Sequence, residues 1–246
     1  MIRQTLIPID KSFSDKALVN EADYKKLYEQ SIQDPEVFWA TEAGKRLTWF
    51  KTWDKVKEVS YHSPVSIKWF QGGKLNVAVN CLDRHLPQAE NRTAFIWESD
   101  APGEATKKIT YGELHAEVCR MANVLRKYGV KKGDRVTIYM PMILEAPIAM
   151  LACARIGAVH SVVFGGFSPD SIADRINDCE SSFVITADEG RRAGKTIPLK
   201  KNIDQALVKT KSVNRVLVVR HTGGEVSMDE SRDLWWDKER LKVETD

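Results

Sequence analysis

The sequence has little cysteine, no long run of like charges and no secretory signal, and each absence excludes a class of protein. Its four cysteines lie far apart with no CxxC pair, which excludes a disulfide scaffold and predicts reduced thiols in the cytoplasm. Residues 1–10 contain no apolar stretch of signal-peptide length. Lys and Arg number 37 against 34 Asp and Glu, a net charge of +3 without a basic stripe, so nucleic acid is not expected as a partner.

The most apolar segment, residues 146–167, is long enough to cross a bilayer but contains Arg155, His160 and three glycines. We therefore predict a buried helix, a turn and a buried strand there, and no membrane association. The chain also lacks the HExxH, GxSxG and GxGxxG motifs and any metal-spaced cluster of His and Cys, so it predicts neither a metal site nor a catalytic residue by motif.

The sequence pattern divides the chain into residues 1–88 and 89–246. The first region predicts a helix from Glu21, capped by Asn20, and a second helix opened by Asp34 and Pro35. Seven aromatic residues without a regular period follow between residues 39 and 70. They predict an irregular segment whose rings anchor on a neighbouring domain.

The second region alternates strands and helices. The predicted strands that are apolar on both faces, separated by helices, indicate an α/β fold with a largely parallel sheet flanked by helices. Such sheets bind ligands at the carboxyl ends of their strands. The predicted strands are 93–98, 107–110, 135–140, 158–164, 182–186 and 215–219, and the predicted helices are 110–129, 143–156, 168–179 and 200–209.

One candidate site is the segment from Gly190 to Thr196, which follows a predicted strand and ends in Gly-Lys-Thr. A P-loop needs four residues between its glycines and this segment has three, so we do not expect a P-loop ATPase. Two arginines and a lysine beside two glycines still suit a phosphate. A solvated basic loop paired with Asp188 and Glu189 fits the same residues equally well.

A second candidate is the segment Phe164-Gly165-Gly166-Phe167, followed by Ser-Pro at a predicted helix start. A phosphate or a flat ring fits such a turn, and so does a tight connection with no ligand. His160, inside an apolar strand, predicts a core histidine. These residues alone indicate an α/β domain, and an anion site in it is one of the interpretations that stay open.

Long strings of the sequence resemble the AMP-forming acetyl-CoA synthetases of the adenylate-forming superfamily. The resemblance covers nearly the whole chain. Its matching strings are SIKWF and GGKLNVAVNCLDRHL within residues 66–86, DRVTIYMPMILEAPIAMLACARIGAVHSVVFGGFSPDSIADRI at 134–176, VITADEGRRAGKTIPLKKN at 184–202 and RDLWW at 232–236.

The resemblance implies a ligase with small-molecule substrates. Acetate attacks the α-phosphate of ATP, which Mg²⁺ accompanies, to give acetyl-adenylate and pyrophosphate, and the thiol of CoA then displaces AMP. The family more often has Arg where Lys195 stands, and Lys offers a point charge in place of a bidentate fork. The implied CoA 3′-phosphate loop is Arg192, Ala193, Gly194 and Lys195, and the residues implied near the CoA adenine are Phe164, Gly165, Gly166, Ile197 and Pro198.

The family's Ser/Thr/Gly-rich loop for the ATP phosphates, its acetate pocket, its hinge and its catalytic lysine are not in these 246 residues. The resemblance therefore implies an N-terminal part of a longer enzyme, inactive without the remainder of the same polypeptide. Two alternatives stay open, a non-catalytic binding module of the same fold and a propionyl-CoA synthetase.

Overall fold

A computed structural model describes residues 7–101 and 103–245 of the chain. It contains two compact units, Met1–Leu75 and Asn76–Asp246. The sequence pattern predicts a domain boundary after residue 88, and this boundary stays a prediction.

The first unit contains helices and one antiparallel hairpin. The side chains of Asn20 and Asp34 accept hydrogen bonds from backbone N–H groups at the starts of two helices, as the sequence predicts. Its elements are α1 (Lys11–Ser14), α2 (Glu21–Gln33), α3 (Pro35–Arg46), β1 (Lys55–Ser60) and β2 (Ser66–Gln71).

The aromatic residues of the first unit contact one another. The rings of Trp49, Trp53 and Phe70 lie with centroids 5.0 to 5.6 Å apart, and Trp39 meets Trp69 edge-on. The prediction of an irregular segment is wrong for residues 55–60 and 66–71, which pair in register as β1 and β2. The predicted anchoring of the rings on a neighbouring domain stays a prediction.

The second unit is built around a five-stranded sheet. Short 3₁₀ turns at Asp83–His85 and Arg240–Lys242 complete it. Its helices are α4 (Val77–Cys81), α5 (Leu86–Ala89), α6 (Tyr111–Lys127), α7 (Glu145–Ile156), α8 (Pro169–Cys179), α9 (Leu199–Leu207) and α10 (Trp236–Glu239). Its strands are β3 (Thr93–Trp97), β4 (Lys107–Thr110), β5 (Arg135–Met140), β6 (Val159–Phe164), β7 (Phe183–Ala187), β8 (Gly190–Arg192), β9 (Lys195–Ile197), β10 (Arg215–Val219) and β11 (Asp233–Trp235).

The main sheet has the order β11-β10-β7-β5-β6, and all its neighbouring strands are parallel. The chain moves outward from β5 to β6, crosses back to β7 and continues outward to β10. Right-handed crossovers in the two directions place helices on opposite faces, and α6 packs on α7 while α8 packs on α9. The predicted α/β fold is confirmed. The carboxyl ends of β5 and β7 form a topological switch point, where open parallel sheets bind ligands.

Local signals explain where the helices begin. Thr110 and Glu113 form a reciprocal capping box at the start of α6, with hydrogen bonds of 3.2 and 2.8 Å. Ser168 caps α8, and Pro169 occupies its first turn. Gly157 ends α7 in the left-handed region, with φ of 75°. These short-range interactions are the reason that the predicted helix boundaries agree with the observed ones within a few residues.

Strand β6 lies at the edge of the sheet, where the prediction of a fully buried strand is wrong. Val162 is 50% exposed, and His160 is exposed instead of belonging to the core. The sequence alone does not tell an edge strand from a central one, because both are apolar here. Within the described residues, no helix has the length and apolar character needed to cross a membrane.

Candidate functional site

A cleft of about 510 Å³ opens at the carboxyl ends of β5, β6 and β7. Its lining includes Pro141, directly after β5, and Gly190, which follows the short loop after β7. The cleft therefore lies at the switch point of the sheet. Its volume falls within the range of small-molecule and nucleotide sites, which are concave and mostly apolar with a few polar groups.

The basic segment after β7 is a hairpin, β8 and β9, at one side of this cleft. Its two-residue turn is Ala193 and Gly194, with φ of 50° and 72°, which is the backbone of a type I′ turn. The register places Arg192 directly opposite Lys195. Directly opposed residues of an antiparallel pair point to the same face, so the hairpin carries two adjacent cations on one face.

The cation of Arg192 has an aromatic partner. Its guanidinium carbon lies 5.0 Å from the ring centroid of Phe164, the last residue of β6. Within the part of the chain that the structure describes, neither Arg192 nor Lys195 forms an ion pair with a carboxylate. Because like charges opposite each other repel, the pair is suited to a shared anion.

The turn after β6 brings backbone close to the hairpin. A Cβ at Gly166 would lie 2.8 Å from a ring carbon of Phe164 and 3.0 Å from Nη1 of Arg192. The buried Tyr139 hydroxyl lies 3.0 Å from the carbonyl oxygen of Gly165 and accepts a hydrogen bond from Asn202 at 3.1 Å. Burial raises the pKa of Tyr139, which keeps this hydroxyl protonated. Glycine at 166 thus lets the backbone lie close to both the ring and the cation, where a side chain would clash.

Asp188 ties two of the loops at the cleft together. Its carboxylate is 1% exposed and accepts backbone hydrogen bonds from Glu189, His221 and Gly223 at 2.7 to 2.9 Å. Instead of neutralising the basic residues, as one reading of the sequence allowed, it fixes the loop after β10 against the loop after β7. This role has no local signal in the sequence, because His221 and Gly223 are more than 30 residues away from Asp188.

Another part of the lining is formed by Trp97 and His221, whose rings meet edge-on at 6.0 Å. The Trp97 indole donates a 2.7 Å hydrogen bond to the carbonyl oxygen of Met142, which fixes the loop after β5. Burial lowers the pKa of His221, so its imidazole is neutral at pH 7. This part of the lining supplies flat apolar surface to the cleft.

The geometry after β7 differs from a P-loop. Gly194, Lys195 and Thr196 belong to the hairpin, and the next helix begins only at Leu199. A P-loop needs a helix whose N-terminus follows its lysine directly. The fold therefore agrees with the spacing argument from the sequence.

Five of the nine residues predicted to bind a ligand line this cleft. The other four lie in the hairpin turn, at the first position of β9 or just after β9. The lining residues are Phe164, Gly165, Gly166, Arg192 and Ile197, and the remaining ones are Ala193, Gly194, Lys195 and Pro198. Their role in binding a ligand remains a prediction.

Family models match almost the whole of the described chain. The model of the AMP-binding enzyme family matches residues 82–245. The chain belongs to the AMP-binding enzyme family. A second model, for the acetyl-coenzyme A synthetase N-terminus, matches residues 24–81.

Named members of the AMP-binding enzyme family are close in sequence. An acetyl-coenzyme A synthetase of Bdellovibrio bacteriovorus is 60% identical over 238 residues, and one of Rhizobium rhizogenes is 57% identical over 243 residues. Each comparison covers 97% of this chain but only 37% of the relative. The chain therefore spans little more than a third of the length of these relatives.

A solved structure supports the fold. The acetoacetyl-CoA synthetase from Streptomyces lividans matches with a TM-score of 0.80 over 91% of this chain and 33% of that one. Its sequence identity is 24%. The two proteins therefore share the architecture described above.

Proposed function

We propose that this chain is the N-terminal part of an AMP-forming acetate–CoA ligase, and that its cleft binds the nucleotide end of CoA. The relatives named acetyl-coenzyme A synthetase support acetate as the acid. In the proposed reaction, acetate attacks the α-phosphate of ATP and releases pyrophosphate, and the CoA thiol then displaces AMP. Mg²⁺ would accompany the ATP.

The observation that carries the proposal is the pair Arg192 and Lys195 on one face of the hairpin. A terminal phosphate of CoA can accept charge-assisted hydrogen bonds from both cations, and the guanidinium adds a fork that suits phosphate geometry. The neighbouring Phe164 ring and the glycine backbone at 165 and 166 offer a flat surface to the adenine. This chain thus binds and orients CoA, and chemistry at the carboxylate belongs to the remainder of the enzyme.

We further propose that the enzyme works in the cytoplasm with no nucleic acid or membrane partner. None of its four cysteines, which all lie in the described part of the chain, forms a disulfide. The sequence of the full reading frame and an assay of the intact protein test the proposed ligase activity. Acetate should drive exchange of pyrophosphate into ATP without CoA, and absence of this exchange would contradict the proposed activity.

Replacing Arg192 with Ala should reduce the discrimination between CoA and dephospho-CoA, with Lys195 left as the remaining cation. We expect the mutant to bind CoA more weakly by about 1.5 to 3 kcal/mol, roughly 10- to 150-fold, because a hydrogen bond to a charged group is lost. Dephospho-CoA should bind both proteins with similar affinity. Isothermal titration calorimetry on the 246-residue chain measures all four values.

The control is Arg126→Ala, which removes the same side chain from the exposed end of α6. This variant should bind CoA like the wild type. Equal binding of CoA and dephospho-CoA by the wild type would contradict the proposed phosphate site. In the intact enzyme, Arg192→Ala should raise the KM for CoA and leave the pyrophosphate exchange unchanged.

Replacing Gly166 with Ala should weaken CoA binding without unfolding the protein. The new methyl group must displace the ends of two flexible side chains, Phe164 and Arg192, which are the ligand-facing groups. We expect a loss of affinity of about 1 kcal/mol, roughly fivefold, by titration calorimetry. Gly44→Ala is the matched control, since its methyl group would lie 3.9 Å from Trp53, an ordinary contact. Unchanged CoA affinity in the Gly166 variant would place the adenine elsewhere.

A further inference from the structure

An acidic segment between β3 and β4 contacts the hairpin from the side. We name residues 98–101 and 103–106 the acidic arm. Nη1 of Arg191 lies 3.2 Å from Oε1 of Glu104, and the backbone N–H of Gly194 donates a 3.3 Å hydrogen bond to Asp100. The arm therefore holds the hairpin at two points, one on β8 and one in the turn.

The register of the hairpin separates this contact from the two ligand-facing cations. Arg191 lies opposite Thr196, while Arg192 lies opposite Lys195. Side chains alternate between the faces of a strand, so Arg191 and the cation pair belong to opposite faces of the hairpin, although Arg191 and Arg192 both line the cleft. Glu104 can thus bind the hairpin without neutralising the charges that meet the phosphate.

The hairpin is short, and a contact from outside adds to its stability. It has three residues in each strand and a two-residue turn, and an isolated two-stranded hairpin is marginally stable in water. The repulsion between Arg192 and Lys195 further disfavours this pairing when no anion is bound. An external contact on the opposite face offsets both effects.

We propose that Arg191 and Glu104 are positioning residues that hold Arg192 and Lys195 at the spacing required by the 3′-phosphate of CoA. The inference rests on the proposed function and adds two residues outside the loop that the family resemblance implies. Neither residue touches the phosphate. Their ion pair acts through the orientation of the hairpin.

A simpler electrostatic effect of Glu104 predicts the opposite change in anion affinity, which makes the inference testable. Glu104 carries a negative charge near an anion site, and removal of that charge alone would tighten anion binding. Loss of the positioning contact would weaken it. Glu98 is the matched control, because it lines the same cleft and accepts a hydrogen bond from Thr106 of the arm. Among the described residues, it forms no hydrogen bond or ion pair with the hairpin.

The experiment compares Glu104→Ala and Glu98→Ala in the 246-residue chain, with adenosine 3′,5′-bisphosphate and 5′-AMP as probes in titration calorimetry. We expect Glu104→Ala to bind the bisphosphate about two- to fivefold more weakly, the range that an exposed ion pair supports. Binding of 5′-AMP should not change. Glu98→Ala should bind the bisphosphate as tightly as the wild type or more tightly.

The charge swap Arg191→Glu with Glu104→Arg should restore binding toward the wild-type value, while Arg191→Glu alone should not. Equal or tighter bisphosphate binding by Glu104→Ala, or a swap no better than its single variants, would overturn the inference. A wild-type chain that binds the bisphosphate and 5′-AMP equally would instead contradict the proposed function. The two failures are therefore distinct.

Discussion

Replacing Lys200 with Met should lower the free energy of unfolding by about 3 to 5 kcal/mol, the usual cost of breaking a buried ion pair on one side. Lys200 is 1% exposed, and its Nζ lies 2.7 Å from Asp204 and 2.8 Å from Asp233. It also donates a 2.9 Å hydrogen bond to the carbonyl oxygen of Ser227. Met keeps much of the side-chain volume, so the change removes mainly charge and hydrogen bonds.

The loss of stability in the Lys200→Met variant arises at the carboxylate of Asp233, which loses a cationic partner. Burial would raise the pKa of Asp233, but hydrogen bonds from Arg232 and Lys200 outweigh it and lower the pKa below its ordinary value. Without Lys200, this fully buried carboxylate keeps only Arg232 as a cationic partner. Adding Asp233→Asn to the Met variant should therefore recover part of the lost stability.

Urea denaturation followed by circular dichroism measures the change. Lys209→Met is the control, because Lys209 pairs with Asp170 in an exposed ion pair, with side chains 60% and 72% exposed. The control should unfold at the same urea concentration as the wild type. If Lys200→Met behaves like the control, the buried network contributes no stability.

Short-range signals made much of the second unit predictable. The capping box at Thr110, the Ser-Pro at residue 168 and the glycine at 157 act within a few residues, so the sequence contains both partners of each interaction. The apolar strands predicted a parallel sheet, and the rule for such sheets predicted a cleft at their carboxyl ends. The position of the candidate site followed from the fold class.

Long-range contacts determine what the sequence did not reveal. In the sequence, Lys200 is one lysine in a basic stretch, and nothing near it indicates that it is buried. Its burial depends on the ion pair with Asp233, 33 positions later. The strands β8, β9 and β11 have three residues each, too few for a period to be visible. The edge position of β6, and with it the exposure of His160, depends on strand order.

The candidate site, too, could be predicted only in part from the sequence. The composition of residues 190–196 indicated an anion site or a solvated loop with equal weight. The hairpin register resolves which cations share a face, and that register depends on Ala193 taking a left-handed conformation at φ of 50°. Alanine gives no sequence signal for such a turn, since Asn, Asp and Gly are the residues that favour it.

Acid should destabilise the protein through Glu239. Burial alone would raise the pKa of this carboxyl, but hydrogen bonds from Lys242, Lys127 and Tyr128 lower it to about 2 from the ordinary 4.5. The unfolded chain therefore binds a proton near pH 4.5, while the folded protein binds it only near pH 2. The stability that Glu239 contributes is complete above about pH 5 and is lost as the pH falls toward 2.

The difference in pKa corresponds to about 3 kcal/mol. Glu239 is 4% exposed and joins α10 to the end of α6, but its lysine partners are 39% and 55% exposed, so solvent screens part of the interaction and this figure is an upper value. Urea unfolding of the wild type and Glu239→Gln from pH 7 to pH 2.5 measures it. The variant should be less stable at pH 7 by an amount of this order, and the gap should shrink steadily below pH 5.

The control is Glu225→Gln, which changes an exposed carboxylate. Its unfolding free energy should follow the wild-type pH profile throughout. Asp83 and Asp233 also have lowered pKa values, because hydrogen bonds from arginine at each outweigh the effect of burial. Wild type and Glu239→Gln therefore both lose stability in acid, and the decisive quantity is the gap between them. A constant gap from pH 7 to pH 2.5 would show that Glu239 titrates at the same pH in the folded and unfolded chains.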